Sequence, residues 1–293
     1  MPVPALHPFA SKYPRKGATR SLKEGAEGLL EQGLYRQAAE AYRRYLERRP
    51  RDASAWHNLG YCYLQLGRND LALEACRQAV KLSPRDPAAS FNAGIAAQRL
   101  GKWPEAHSFF ARALRYNKGD PAAWNNAGVC LFHLGRPEEA LVCYRRALDL
   151  EPAAGDFYLN LAQALVALGR WTEAVDCCEQ ALKLSPSDPG VYTEIGDLLA
   201  RMGKDTVALT YYRRALSLDP GSQRAGLGLA EILGRLGRCR EALDFLDELL
   251  RRFPRSIPAW ELKGRLYAQL DLEEEAVYCY NKALDLIRET EDV

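Results

Sequence analysis

Residues 53–86 read ASAWHNLGYCYLQLGRNDLALEACRQAVKLSPRD, and this stretch decides the fold. Its first half places residues three and four positions apart, as on one face of a helix: Trp56, Leu59, Gly60 and Tyr63. Gly67 predicts the end of that helix, and a second helix is predicted to run up to Pro84. Two short amphipathic helices cannot bury both their apolar faces alone, so the unit requires neighbouring copies of itself.

The same 34-residue pattern is repeated eight times without an insertion or deletion, so each residue can be given a position from 1 to 34 within its unit. Position 8 is always small: Ala26, Gly60, Gly94, Gly128, Ala162, Gly196, Ala230 and Gly264. Small residues at this position let two helices approach closely. We predict a leader and eight repeats followed by a short tail: 1–18, then 19–52, 53–86, 87–120, 121–154, 155–188, 189–222, 223–256 and 257–290, then 291–293.

Start signals precede most first helices of the units. Helix-capping residues stand at the junctions: Asp52, Asp86, Asp120, Asp188, Ser222 and Ser256. The junction before the fifth repeat is Ala154-Gly155, so the cap is predicted to move to Asp156. Ser21, with Glu24 three residues later, predicts the start of the first helix.

These residues resemble the tetratricopeptide repeat, whose first helix reads W-x2-L-G-x2-Y and whose second contains A-x3-F/Y, A and P. The similarity is closest in WHNLGYCY at 56–63, WNNAGVCL at 124–131, ALVCYRRALDLEP at 140–152 and ALTYYRRALSLDP at 208–220. The resemblance covers residues 19–290. It implies an all-α solenoid, a right-handed superhelix in which the first helices line a concave groove.

Composition argues against several classes of function. Forty basic and 38 acidic residues leave a net charge of +2, which does not favour a nucleic-acid partner, and no stretch is apolar enough for membrane insertion. The first twenty residues contain no apolar core of a signal peptide, and no Cys-x-x-Cys pair occurs, so we expect reduced cysteines and a cytoplasmic protein. We expect no catalytic residues, no metal site and no cofactor, because no catalytic or metal-binding motif is present.

Position 6 carries an asparagine in four consecutive repeats, Asn58, Asn92, Asn126 and Asn160, which we call the asparagine row. Each amide can donate and accept hydrogen bonds with an extended peptide, and the row is similar to the asparagine ladder in the repeats of O-GlcNAc transferases. Alternatively, asparagine is simply common at this position in the family. Six further residues are predicted to line the same groove: His57, Tyr61, Phe91, Asn125, Phe132 and His133. The alternative is that Phe91 and Phe132 pack against neighbouring helices.

A second candidate surface follows in the sixth and seventh repeats, where the groove positions become charged. We call this set the charged row: Glu194, Asp197, Arg201, Arg224, Glu231 and Arg235. These residues either bind the charged flanks of a ligand or pair with one another across repeats, in which case each pair contributes little.

The predicted function is a non-enzymatic adaptor that binds an extended segment of a protein partner in the concave groove. One alternative is a scaffold that forms a homo-oligomer through its C-terminal end, where Leu284, Leu286 and Ile287 leave apolar surface uncovered. Another is a substrate-recognition arm for a separate enzyme.

Overall fold

The computed structural model describes residues 18–291, and side chains within residues 22–289. The predicted leader and tail therefore lie outside the described residues, apart from Ala18 and Glu291. The described chain contains sixteen helices and no strand, which confirms the all-α fold class. The helices are α1 (Ala18–Glu31), α2 (Tyr35–Arg48), α3 (Ala53–Gln65), α4 (Asn69–Leu82), α5 (Pro87–Arg99), α6 (Trp103–Tyr116), α7 (Pro121–His133), α8 (Pro137–Leu150), α9 (Gly155–Ala167), α10 (Trp171–Leu184), α11 (Pro189–Arg201), α12 (Asp205–Leu218), α13 (Gln223–Arg235), α14 (Cys239–Arg252), α15 (Ile257–Gln269) and α16 (Glu273–Glu291).

The described chain divides into two compact units, residues 18–164 and residues 165–291. In the first unit, α2, α4 and α6 each pack between the odd-numbered helices on either side of them, and α5 also contacts α3 and α7. In the second unit, α12 and α14 do the same, and α13 contacts both α11 and α15. Each unit therefore contains a row of odd-numbered helices that touch one another, and the candidate site residues lie on these rows.

Six of the odd-numbered helices begin with a side chain that caps their first turn. The cap accepts a hydrogen bond from a backbone N–H two or three residues later, at Asp52, Asp86, Asp120, Asp188, Ser222 and Ser256. These caps agree with the sequence prediction. Two predicted starts are wrong: α9 begins at Gly155, so Asp156 lies within its first turn, and α1 begins at Ala18, three residues before Ser21.

Asp52 also ties the first two repeats together. Its carboxylate accepts hydrogen bonds from Lys23 Nζ at 2.9 Å and Tyr45 Oη at 2.8 Å, and another from Ser54 Oγ at 2.7 Å. Burial alone would raise the pKa of Asp52, but these hydrogen bonds outweigh it and lower the pKa to about 2. The helix cap is thus also an ionised bridge from α3 to α1 and α2.

A ring at position 4 fastens several odd-numbered helices to the end of the preceding repeat. The indole Nε1 of Trp56, Trp124 and Trp260 donates to the backbone carbonyl six residues earlier, at 2.9, 2.9 and 3.0 Å. Tyr192 makes the equivalent bond with its hydroxyl at 3.0 Å. The acceptor is a backbone carbonyl, which every residue type has. Lys118 can therefore accept this hydrogen bond at position 32, where the other bonded repeats have a proline.

Glycine at position 8 is needed where an aromatic ring of the second helix lies directly against the first. A Cβ built on Gly128 would lie 2.7 Å from Tyr144 Cε1, and one on Gly94 would lie 2.7 Å from Phe110 Cε1. Real carbon atoms do not approach this closely, so the two helices could not keep their separation with alanine. The repeated small residue therefore sets the distance between paired helices.

Candidate functional site

The asparagine row begins with a hydrogen bond between repeats. Asn58 Nδ2 donates to Tyr42 Oη at 3.0 Å, and both side chains are buried, with Asn58 1% and Tyr42 0% exposed. Burial raises the pKa of Tyr42, and the hydrogen bond from Asn58 opposes that shift. Tyr42 occupies position 24 of the first repeat, so the second helix of one repeat reaches the asparagine of the next.

Asn92 contacts His57 in the same buried region. Asn92 Nδ2 lies 2.7 Å from His57 Nε2, and both residues are 0% exposed. The other ring nitrogen of His57, Nδ1, is also buried. That nitrogen lies 3.9 Å from the Asp86 carboxylate, which caps α5. His57 is therefore held between two polar groups of α5.

The other two asparagines make different bonds. Asn126 Nδ2 donates to the Ala122 carbonyl of its own helix at 2.8 Å, whereas Asn160 Nδ2 donates to Asn125 Oδ1 in the preceding repeat at 3.0 Å. Asn126 is 4% exposed, and Asn160 is half-buried. Three of the four asparagines therefore bond to another repeat, and three are buried.

The structure corrects the expectation of an open row of amides. Asn58, Asn92 and Asn126 do not face solvent, and neither do His57 and Phe91. Phe91 packs edge-to-face on Phe110 at 5.6 Å between ring centroids, which is the packing alternative considered for this residue. The odd-numbered helices lie close together here, and their facing side chains are shared between neighbouring repeats.

Four predicted groove residues remain accessible. Tyr61, Phe132 and Asn160 are half-buried, and His133 is exposed, whereas Asn125 is buried beside Asn160. Tyr61 meets Tyr35 edge-to-face, with ring centroids 6.1 Å apart. His133 stacks on Trp103 at 3.9 Å with the rings 8° from parallel, and partial burial lowers its pKa.

In the charged row, several residues pair with one another. Arg224 Nη2 donates to Asp197 Oδ2 at 2.6 Å, and Arg224 Nη1 lies 3.5 Å from Glu194. Arg235 Nη2 lies 2.8 Å from Asp205 and donates to the Ala200 carbonyl at 3.2 Å. These contacts join consecutive repeats, which favours the pairing alternative for these residues.

The remaining members of the charged row, Arg201 and Glu231, are exposed. They line an open depression of about 280 Å³ together with Asp197, Ala200, Tyr212, Gly228, Ile232 and Arg235. A Cβ on Gly228 would lie 2.5 Å from the Tyr212 ring, and the Tyr212 hydroxyl donates to Asp197 at 2.6 Å. The Tyr212 ring thus occupies the space that a Cβ at position 6 of the seventh repeat would need.

Sequence reasoning missed Tyr42 and Tyr212 as members of the two rows. Both stand at position 24, where the repeat pattern calls for an aromatic residue as core. Their rings are buried, as that pattern predicts, but their hydroxyls reach position 6 or position 9 of the odd-numbered helices. A tyrosine rather than a phenylalanine at this position was the available signal, because a buried hydroxyl requires a partner.

The cysteines and histidines do not assemble into a reactive or metal-binding centre within residues 18–291. All eight cysteines are free thiols, and Cys177 alone among them is not buried. Burial raises the pKa of Cys62, Cys76, Cys130 and Cys178 to about 12. No group of three metal-ligating side chains occurs among the described residues, and none of their helices has the length and apolar character needed to cross a membrane.

Several solved structures share this fold at low sequence identity. Yeast Tom70 is 17% identical, with a TM-score of 0.69 over 96% of this chain and 63% of that one. A chain of the APC/C hetero-tetramer Cut9–Hcn1 is 17% identical, with a TM-score of 0.62 over 92% of this chain and 53% of its own. MamA from Desulfovibrio magneticus RS-1 is 17% identical, with a TM-score of 0.56 over 58% and 97% of the two chains. No curated protein sequence matches this one.

Three sequence families match parts of the chain. The family described as the cilia and flagella-associated protein 70 C-terminal domain matches residues 12–188, which is more than half of the chain. Two tetratricopeptide-repeat families match residues 199–266 and 257–290. With the sixteen helices, these matches confirm the tetratricopeptide-repeat resemblance. The chain belongs to the family of the cilia and flagella-associated protein 70 C-terminal domain, a family of tetratricopeptide-repeat proteins.

Proposed function

We propose that this chain is a non-enzymatic adaptor that binds an extended segment of a partner protein along the odd-numbered helices of residues 18–164. Tetratricopeptide-repeat proteins generally serve as protein-interaction scaffolds, which supports the class of function. The proposed compartment is the cytoplasm, where eight free thiols stay reduced. The proposed partner is a protein rather than a nucleic acid, since the net charge is only +2.

The observation that carries the proposal is the mixture of accessible aromatic and amide groups on this row of helices. Tyr61 and Phe132 are half-buried, so each side chain is partly accessible and is held by neighbouring rings, Tyr35 and His133 respectively. Asn160 lies further along the row and offers a partly exposed amide. Rings give apolar contact at low entropic cost, and an amide can bond to the backbone of an extended segment.

In this proposal, the buried members of the asparagine row position the binding surface rather than touch the ligand. Asn58 holds α3 against Tyr42 of α2, and Asn92 holds α5 against His57 of α3. Each bond fixes one odd-numbered helix relative to a helix of the preceding repeat. Direct contact is assigned to Tyr61, Phe132, His133 and Asn160.

The test is selection of extended peptides from a random display library on the full chain. The binding of selected peptides is then measured for a triple variant, Tyr61→Ala with Phe132→Ala and Asn160→Ala. A control triple variant changes exposed apolar residues of even-numbered helices: Leu71→Ala, Tyr116→Ala and Val142→Ala. We expect at least about tenfold weaker binding for the first variant and less than about twofold change for the control. Equal binding to both variants would contradict the proposal.

Assembly on copies of itself is the second candidate function. It is favoured by the last helix, α16, which exposes Val277, Tyr278, Tyr280 and Leu284. Leu286 and Ile287, predicted to be uncovered, are half-buried. Concentration-dependent mass of the purified full chain is the measurement that tests it.

A further inference from the structure

In the last described helix, α16, three positions that are buried in α14 are exposed. Val277 at position 21, Tyr280 at position 24 and Leu284 at position 28 are 56%, 37% and 49% exposed. At the same three positions of α14, the residues Leu243, Leu246 and Leu250 are 8%, 0% and 6% exposed. Within residues 165–291, α14 has this face covered by α15. Exposed apolar surface of this kind marks an interaction site.

Contacts between consecutive repeats within the chain show what kind of surface covers this face of an even-numbered helix. In the joint between α4 and α5, Cys76 and Val80 of α4 form one cluster with Ala89 and Ala93 of α5. Ala89 and Ala93 stand at positions 3 and 7, so the covering helix presents small residues to the larger ones of the preceding helix. Where Asn58 meets Tyr42, the amide at position 6 donates a hydrogen bond to the tyrosine hydroxyl oxygen of the preceding repeat.

Within the described residues, the helix α1 presents small residues at two matching positions, and no described atom lies close against them. Positions 7 and 10 are Gly25 and Gly28, and a Cβ built on either would meet no atom within 4 Å. The corresponding alanines of α5, Ala93 and Ala96, are fully buried. Glycine destabilises a helix interior relative to alanine, so two glycines on one face suit a close approach by another helix. Position 6 of α1 is Glu24, a carboxylate that can accept a hydrogen bond from a tyrosine hydroxyl.

We propose that the exposed face of α16 receives α1 of a second copy of this chain. Val277, Tyr280 and Leu284 pack over Gly25 and Gly28 as α4 packs on α5 within the chain. The proposal rests on assembly as a function and names the two surfaces that carry it. The surfaces differ, so the contact is heterologous and leaves a free α1 and a free α16 at the ends of every assembly.

The experiment uses full chains in which one surface at a time is blocked. Leu284→Glu places a charge on the α16 face, and Gly25→Arg places a long side chain on the α1 face. Both positions are exposed, and Gly25 has open space around it, so neither change disturbs the fold of a single molecule. Val142→Glu, at an exposed residue of α8, is the matched control. Sedimentation velocity over a wide range of concentrations gives the size of each species.

Wild type and the Val142→Glu control should form larger species as the concentration rises. Each blocked variant should associate at least about tenfold more weakly than wild type. Mixing the two blocked variants should restore one contact and give a dimer that does not grow further. If Leu284→Glu prevents assembly but Gly25→Arg does not, the chain does assemble, but α1 of the second copy is not what covers the α16 face. Wild type that remains monomeric at every concentration overturns both the assembly function and this proposal.

Discussion

Replacing Asn58 with alanine should destabilise the protein even without a ligand, because its amide bonds inside the chain. Asn58 Nδ2 lies 3.0 Å from Tyr42 Oη, and both residues are buried. Removing one partner of a buried hydrogen bond costs about 1–3 kcal/mol, because the other group loses its partner without regaining water. Asn58→Ala and Tyr42→Phe should each lower the free energy of unfolding by an amount in this range.

The double variant isolates the bond itself. Once both polar groups are gone, neither is left unsatisfied, so the combined loss should be smaller than the sum of the single losses by about 1 kcal/mol. Asn126→Ala is the control, because Asn126 donates only to the Ala122 carbonyl of its own helix. Its loss should cost less than about 1 kcal/mol, since that carbonyl keeps its place in the helix.

Urea unfolding followed by circular dichroism gives the overall stability. Hydrogen exchange of peptides from α3 gives the local free energy of opening, which is needed because repeat arrays do not always unfold in one step. A coupling energy below about 0.3 kcal/mol would refute the reasoning, since independent sites add within that margin. So would a larger loss for Asn126→Ala than for Asn58→Ala.

Three further predictions concern packing, pH and thiol reactivity. Gly128→Ala should lower stability by about 1–3 kcal/mol through overpacking against Tyr144, whereas Gly25→Ala, in open space, should raise it by about 0.5–1 kcal/mol; urea midpoints that shift in the same direction would contradict this. Asp52 has a pKa lowered to about 2, against about 3.9 when unfolded, so its stabilisation is present at pH 7 and lost as pH falls through 4 to 2. Asp52→Asn should therefore be less stable than wild type at pH 7, with a difference in urea midpoint that shrinks across that window; a constant difference would argue against the ion pair. Iodoacetamide should alkylate Cys177 first in the native state, as read by mass spectrometry of the peptides, and early labelling of a buried cysteine would contradict the structure.

Helix boundaries were predictable because their signals are local. A cap such as Asp188 bonds to an N–H within its own first turn, and a turn glycine adopts its conformation without help from distant residues. The exceptions are also local. Gly155 can occupy the first position of a helix, so α9 begins there and Asp156 is not its capping residue.

Burial of the asparagine row was not predictable from helical periodicity. Whether Asn58 faces solvent depends on Tyr42, sixteen residues earlier and on another helix. Periodicity assigns a face to each side chain, but it does not show how closely the neighbouring repeat approaches that face. Phe91 is likewise buried by a residue of another helix, although that residue, Phe110, belongs to the same repeat.

In the charged row, the residue types showed that ion pairs could form, but the sequence did not show which residues pair. Arg224 and Asp197 have opposite charges, but many other pairings in these repeats were equally consistent with the sequence. The structure brings them together because they lie on consecutive odd-numbered helices, 27 residues apart. Arg235 likewise bonds to a carbonyl at the C-terminal end of α11, a partner that no side-chain pattern reveals.

Because of Asp271, substitutions in the turn between the two helices of a repeat affect stability differently in the eighth repeat than in the other seven. Seven turns have glycine at φ between +68° and +75°, and the eighth imposes φ of +58° on an aspartate. An L-residue in this region is disfavoured by about 1–2 kcal/mol, although a short polar side chain tolerates it better than most. Asp271→Gly relieves the strain, whereas replacing any of the seven glycines introduces it. A random library screened for thermal resistance should therefore collect Asp271→Gly and leave the turn glycines unchanged.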